Sequence, residues 1–403
     1  MDISQKKILF ITHAGNPGGA EYKMVKLCSA PEQNSEVMLF QNGHLEKILK
    51  ENDIQFSICP MPPGMKSFRK EDGIISILKA IPSTFSMIRS VGRHTRKFDL
   101  VVCMSQKSFI LSSLAKPITR KPIIWFMNDI LSRDHFSRLL ILLLVTLSRY
   151  SATHVVVNSQ ASLDAWEQAG GRKKNVSIIF PGTDENNIDE QIQDHDAIKA
   201  YKQKYSPDGK PLVGIFGRIS HWKGQDVFLE AIAKVESINA IIVGDALFGE
   251  EEHAQALKNM TKELGIENRV IFTGHKDDIA KIMAACDIVA HCSTSPEPFG
   301  GVIVEAMMCG TPVIASDAGG AQEIVVHNET GQLTALKDSN ALAQAIEKYI
   351  NDPEWSALLA KNARKRAIEN FSKRILIERF SEIVKIIEKP TTPPKDKAYA
   401  ASV

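Results

Sequence analysis

Short apolar runs recur along the first 180 positions, separated by stretches of helical length. Runs at 7–12, 37–41, 56–59, 100–104, 123–127, 155–158 and 176–180 predict buried strands, and 73–91 and 132–149 predict helices. Short strands that alternate with helices imply parallel βαβ units and an open α/β sheet. The pattern pauses at Pro181 and Gly182, and a polar stretch follows at 183–210. It then restarts, with strands expected at 212–216, 240–243, 270–273, 288–291, 313–315 and 331–335. Two consecutive α/β domains of about 180 residues each is the economical reading. Helices dominate after Asn340, the last expected at 373–387, and 389–403 reads as a disordered tail with three Pro and three Lys. The halves repeat a fold type, not a sequence.

Composition narrows the class. A chain of 403 residues with 44% apolar and 24% charged residues is neither wholly disordered, collagenous nor a small disulfide scaffold. The longest apolar run, 139–147, falls short of the roughly 20 residues of a membrane span. The polar first seven residues lack the pattern of a secretory leader, so a cytoplasmic location is expected. Cysteines 28, 59, 103, 286, 292 and 309 show neither Cys-x-x-Cys nor zinc-site spacing, and reduced, mostly buried thiols are expected. The net charge of +2 hides an asymmetry, because residues 1–180 carry 24 Lys+Arg against 14 Asp+Glu. A basic half suggests an anionic partner: nucleic acid, acidic lipid or a phosphorylated ligand.

Three motifs carry candidate chemistry. Gly18 and Gly19 stand between the first strand and the next helix, where backbone amides and the helix dipole suit a phosphate; a plain tight turn reads equally well. The dinucleotide fingerprint G-x-G-x-x-G is missing there, which disfavours a dehydrogenase. Arg218 and Lys223 follow the strand that ends at Gly217, at the sheet edge where such folds bind ligands. They read as diphosphate ligands or as two solvated cations. In the run from Ser295 to Ala306, Glu297 and Glu305 flank a Phe299-Gly300-Gly301 turn that opens a helix. Carboxylates hold ribose or sugar hydroxyls well, and free amides at the helix start face an anion; two unrelated surface glutamates is the alternative.

With these residues the chain resembles the retaining, nucleotide-sugar-dependent glycosyltransferases of family 4, whose GT-B fold has two facing Rossmann-like domains. The Glu–seven residues–Glu signature matches Glu297 and Glu305. The G-R-x-x-x-x-K-G element matches Gly217, Arg218, Lys223 and Gly224, the G-G-A-E loop matches Gly18 to Glu21, and G-G-x-x-E matches Gly319, Gly320 and Glu323. The resemblance implies an acceptor-side domain at 1–182, a nucleotide-sugar domain at 183–370 and a helix at 371–388 that crosses back to the first domain. It implies that Arg218 and Lys223 hold the donor diphosphate, Glu305 the ribose and Glu297 the donor sugar, with Phe299 and Gly300 framing its pocket. Gly18 and Gly19 would close on the phosphates, and backbone near His275 and Lys276 would edge the base. Where many relatives have a His after the fifth strand, this chain has Asn128 and Asp129, and Asn carries no proton at neutral pH. Asn128, Asp129, His13 and Glu21 are possible contacts to acceptor or donor sugar, although His13 reads equally as a turn residue and Glu21 as a helix-dipole partner.

The expected reaction is metal-independent transfer of a hexose-type sugar, with retention, to a glycan or lipid-linked acceptor. A uridine nucleotide is favoured over guanosine, and no cofactor is expected beyond this co-substrate. No DxD motif appears, and Asp277-Asp278 reads as a helix start. The leucine-rich 136–150 segment reads as a half-buried helix or as a basic apolar face on an acidic membrane. Cations at Lys66, Arg69, Lys70, Arg89, Arg93, Arg96 and Lys97 add to that domain's charge. With 7% aromatic residues and no aromatic-basic platform, nucleic acid is not an expected partner. Alternatives are a catalytically silent nucleotide-sugar-binding scaffold of a polysaccharide assembly and a same-fold enzyme acting on a sugar phosphate.

Overall fold

Along β1 (Lys7–Thr12), Ile8 and Phe10 join the core on one face of the sheet, and Leu9 and Ile11 the core on the other. Both faces are covered, which is why the strand reads as an unbroken apolar run. The computed structural model describes residues 6–31, 33–61, 74–133, 136–247 and 249–388; at 74–83 and 388 it describes the backbone alone. The expected tail at 389–403 and the cations Lys66, Arg69 and Lys70 lie outside the described residues.

The first sheet also contains β2 (Asn34–Leu39), β3 (Gln55–Ile58), β4 (Leu100–Cys103), β5 (Ile123–Met127), β6 (His154–Val157) and β7 (Val176–Ile178). All its strands are parallel, in the order β3-β2-β1-β4-β5-β6-β7. Helices α1 (Gly19–Cys28) and α2 (Leu45–Glu51) lie on one face. On the other face lie α3 (Ile74–Thr95), α4 (Gln106–Thr119), α5 (Arg138–Ser151) and α6 (Gln160–Gln168). There Phe109 stacks on Trp125 with ring centroids 4.2 Å apart. Helix α5 starts six residues later than its leucine pattern predicts, because Ser137 caps it by accepting the Leu140 amide.

The polar stretch after Gly182 holds two helices, α7 (Glu185–Ile192) and α8 (His195–Tyr205), capped by Asp184 and Asp194. The second sheet comprises β8 (Leu212–Phe216), β9 (Asn239–Val243), β10 (Val270–Gly274), β11 (Ile288–His291), β12 (Val313–Ser316) and β13 (Gln332–Thr334). It is parallel, in the order β10-β9-β8-β11-β12-β13, so the chain reverses direction between β8 and β11. Its helices are α9 (Gln225–Lys234), α10 (Glu251–Glu263), α11 (Ile279–Ala285), α12 (Gly301–Met308), α13 (Ala321–Ile324), α14 (Ser339–Asn351) and α15 (Pro353–Phe371).

The last helix, α16 (Lys373–Glu388), joins the first domain's core: Phe380 meets Phe10 and Phe126 at centroid distances of 5.9 and 6.0 Å. The chain therefore crosses between the sheets twice, and the two crossings pair. Thr183 N donates to Phe371 O at 2.8 Å, and Lys373 N donates to Thr183 O at 2.7 Å.

Candidate active site

Open parallel sheets take ligands beyond the carboxyl ends of their strands, at the switch point. At that edge of the second sheet, β8 runs into Gly217 and Arg218, β9 into Gly244 and Asp245, and β10 into His275 and Lys276. With Val302 and Glu305 of α12, these residues line a cavity of about 250 Å³ whose floor is apolar, made by Phe216, Val243 and Met283. Glu305 is half-buried; burial raises its pKa, and the charge of Lys26 on α1 opposes that shift. Lys26 also donates to Gly182 O. The first domain thus places a cation against the second domain's carboxylate.

Beside the cavity, at the switch point, lies a buried ionic cluster. Lys223 Nζ is 2.7 Å from Glu297 Oε1, with side chains 17% and 8% exposed. His291, at the end of β11, shares that oxygen at 2.9 Å, and the Ser293 hydroxyl donates to it. Burial would raise the Glu297 pKa, but the Lys223 ammonium and His291 overcome it and hold the carboxyl below the ordinary carboxylate range. Backbone geometry assembles the cluster. Gly224 has φ +69°, and a Cβ there would lie 1.9 Å from Cys292 O. Only glycine allows so close an approach between the start of α9 and the end of β11, and this brings Lys223 to Glu297. Behind the cluster, Gly319 has φ +62° and its Cβ would lie 2.5 Å from Glu297 O.

The candidate residues are therefore divided. Arg218, His275, Lys276 and Glu305 surround the cavity. Lys223 and Glu297 pair beside it, so the two glutamates of the signature do not share one wall. Gly300, with φ +109°, and Gly301 open α12, and a Cβ on Gly301 would meet nothing within 4 Å, which leaves that helix start clear. The Phe299 ring is buried, with Phe180 and Phe371 at centroid distances of 5.7 Å each. Asp278 precedes α11 without capping it and instead accepts the Tyr201 hydroxyl.

In the first domain, Gly18 and Gly19 lie exposed at the start of α1. Glu21 turns inward, accepting from Thr12 Oγ1 at 2.8 Å and from Gly18 N at 3.1 Å. It is buried, its pKa is raised by that burial against the pull of these bonds, and it closes the helix start instead of facing the cleft. Asn128 likewise looks inward. Its amide donates to Met104 O at 2.8 Å and Phe126 O at 3.3 Å, and its Oδ1 accepts from Lys23 at 2.8 Å. Both amide protons are occupied, leaving none for a sugar. Asp129 is exposed and accepts from Gln106. His13 is half-buried, with its pKa lowered to about 4 by burial and then by Lys107.

Sequence reasoning overlooked Lys23, Asn158, His291 and Ser293. Lys23 is 2% exposed and reaches both Asn128 and Asn158; burial, then the charge of Lys26, lowers its pKa to about 7. A signal existed: an Asn directly follows both β5 and β6, and a Lys stands among buried positions of α1. Across the cleft, Glu323 accepts from the Gln160 and Ala161 amides at 2.8 and 3.2 Å, so the second domain's carboxylate meets the open start of α6.

Comparison with known proteins agrees with this geometry. The family model for glycosyl transferases group 1 matches residues 196–366. HepE from Anabaena, solved in complex with UDP, is 35% identical, superposes with a TM-score of 0.85, and is covered over 94% of this chain and 100% of its own. The same protein has been solved with UDP-glucose. Among curated relatives, the lipopolysaccharide core biosynthesis glycosyltransferase LpsE of Rhizobium meliloti is 30% identical over 44% of this chain and 51% of its own length. The mannosyltransferase LpcC of Rhizobium leguminosarum is 34% identical over 41% and 47%. The chain spans about half the length of these two relatives. Two facing parallel sheets, a cavity rimmed by charged residues at the switch edge of the second and these similarities place the chain in the group 1 glycosyltransferases, with the GT-B fold.

Proposed function

We propose that the protein transfers a hexose from a uridine diphosphate sugar to a glycan or lipid-linked acceptor, with retention and without a metal ion. The observation that carries this reading is the cavity bounded by Arg218, His275, Lys276 and Glu305, with the Lys223–Glu297 pair beside it. A nucleoside diphosphate leaves with growing negative charge. The Arg218 fork, the Lys223 ammonium and the open amides of α12 would stabilise that charge more in the transition state than in the ground state. Glu305 would accept the ribose hydroxyls, and Gly18 and Gly19 would approach the phosphates from the first domain. HepE, bound to UDP and UDP-glucose, supports uridine over guanosine.

Glu297 bears on the stereochemistry. Its Oε1 already accepts from Lys223, His291 and Ser293, and its basicity is depressed. A carboxylate held this way is a poor covalent nucleophile and a good partner for sugar hydroxyls. Front-face attack, with the leaving phosphate taking the acceptor's proton, fits better. The first half of the chain, with its excess of positive charge, suits an anionic or lipid-linked acceptor.

A thermal-shift panel of UDP, GDP, ADP and their sugar conjugates, in EDTA and in magnesium, tests the donor reading. A ligand at 100 times its Kd adds about 2.7 kcal/mol of stability. The expected result is a shift with UDP species in EDTA. A shift with GDP species alone, or one that requires magnesium, overturns the corresponding part of the proposal. NMR of the product's anomeric proton tests retention.

A further inference from the structure

We propose that the outer face of α5 is a docking surface for an anionic lipid bilayer. This helix buries Leu144, Val145 and Ser148 against the first sheet, so its core is satisfied from one side. On the opposite side a globular helix ordinarily presents polar residues. Here Leu139 is 79% exposed, Leu142 60%, Leu143 44% and Tyr150 82%. Their spacing of three, four and seven or eight residues aligns them in one stripe. Contiguous exposed apolar surface of this kind marks an interaction site.

Charge selects the occupant. Arg138 and Arg149 are exposed at the two ends of the stripe, and 138–151 contains no Asp or Glu. Arginine flanks around leucines, with a tyrosine at one end, match a helix that lies in the plane of a membrane interface. The adjoining helix α4 also exposes Leu114 and Ile118, each to 43%. The domain that carries the patch also carries the chain's excess of cations. At 14 residues α5 is too short to span a bilayer, and among the described residues no helix is long and apolar enough to cross one. Position gives docking a use. Helix α5 follows β5, whose carboxyl end belongs to the sheet edge bearing Asn128, so a docked helix sets that edge next to the lipid surface. A lipid-linked acceptor would then arrive by diffusion in the membrane plane. Docking itself is independent of which sugar nucleotide the second domain takes.

Co-sedimentation of the full chain with vesicles, without any nucleotide, tests the proposal. The expected result is binding to equimolar phosphatidylglycerol and phosphatidylcholine, weakened by salt, and little binding to phosphatidylcholine alone. The triple variant L139Q/L142Q/L143Q should lose about tenfold or more in vesicle affinity. The pair R138E/R149E should lose the preference for phosphatidylglycerol. Both variants should keep the circular dichroism spectrum and the UDP-induced thermal shift of the parent, so a failure of docking is distinguishable from a failure of the donor site. Unchanged vesicle binding in the triple variant, or none by the parent, overturns the proposal. So does a parent dimer in sedimentation velocity that the triple variant dissociates while neither binds vesicles, which would assign the face to a second copy.

Discussion

The two domains repeat one architecture, yet the polar groups at their facing edges behave differently. In the second domain, Arg218, His275, Lys276 and Glu305 stand around an open cavity, and Lys223 and Glu297 pair beside it. At the corresponding edge of the first domain, Thr12 bonds Glu21, and Lys23 bonds Asn128 and Asn158, each turned inward. Under the proposed function, one edge is arranged for a ligand of fixed chemistry, a diphosphate with a ribose. At the other, Glu21, Lys23 and Asn128 bond inward, while Gly18 and Gly19 offer backbone and Asp129 stays exposed. A site that recognises a constant group can be pre-organised with charge; a site for a variable partner is better left to surrounding loops and surfaces.

The sharpest way to break this contrast is to neutralise the second edge. Arg218→Ala should cut turnover by roughly 10²–10³ with UDP-sugar, read by initial rates, because one lost donor of this kind costs about 3–4 kcal/mol. An unchanged rate would remove the diphosphate assignment. Lys223→Ala should lower turnover similarly and also lower the midpoint of urea unfolding, since it leaves Glu297 buried beside His291 and Ser293 alone, at a cost of roughly 3 kcal/mol.

Next in size is the backbone device. Gly224→Ala should destabilise by about 2–3 kcal/mol, through positive φ and the collision with Cys292 O. It should also separate Lys223 from Glu297, visible as a rise of the Glu297 pKa in carboxylate NMR.

In the first domain the expected signature is pH-dependent stability. Burial lowers the Lys23 pKa to about 7 in the folded chain, against an ordinary 10.5. Between those values the unfolded chain holds more protons, so this residue makes stability rise with pH from about 7 and stop rising near 10.5. Unfolding of the parent minus that of Lys23→Met should therefore shift in the parent's favour by roughly 2 kcal/mol between pH 7 and 9. A flat difference would place Lys23 in a more solvated setting. The smallest effect is across the cleft: Glu323→Ala removes the acceptor for the α6 start and should cost about 1 kcal/mol by thermal melt.

The strand pattern was legible because the interior strands, apart from the first residues of β1 and β2, are buried on both faces, and uninterrupted apolar runs mark that state. Edges were harder. Strand β2 begins at Asn34, three residues before its apolar run, because its polar first residues still pair with β1. Helices α7 and α8 were hidden by sparse apolar spacing, and their aspartate caps were the better signal. The site's charged residues stood out by type and by position after strands. Their partners did not, since the Lys223–Glu297 pair depends on a backbone contact between Gly224 and Cys292 that are far apart in sequence. Asn128 was weighed as a sugar contact from its place after the fifth strand, and nothing in its neighbourhood announces Lys23, 105 positions away.

Helix α16 fills the apolar face of the first sheet against Phe10 and Phe126. Helices α1 and α2 cover part of that face early, but the part that α16 covers stays open during synthesis until the whole second domain has been made. The order of completion is then the reverse of the order of synthesis: the second domain, which is continuous in sequence, can mature first, and the first domain is sealed by the segment made after it. During that interval the nascent chain displays a phenylalanine-lined surface, a natural substrate for chaperones that shield growing polypeptides.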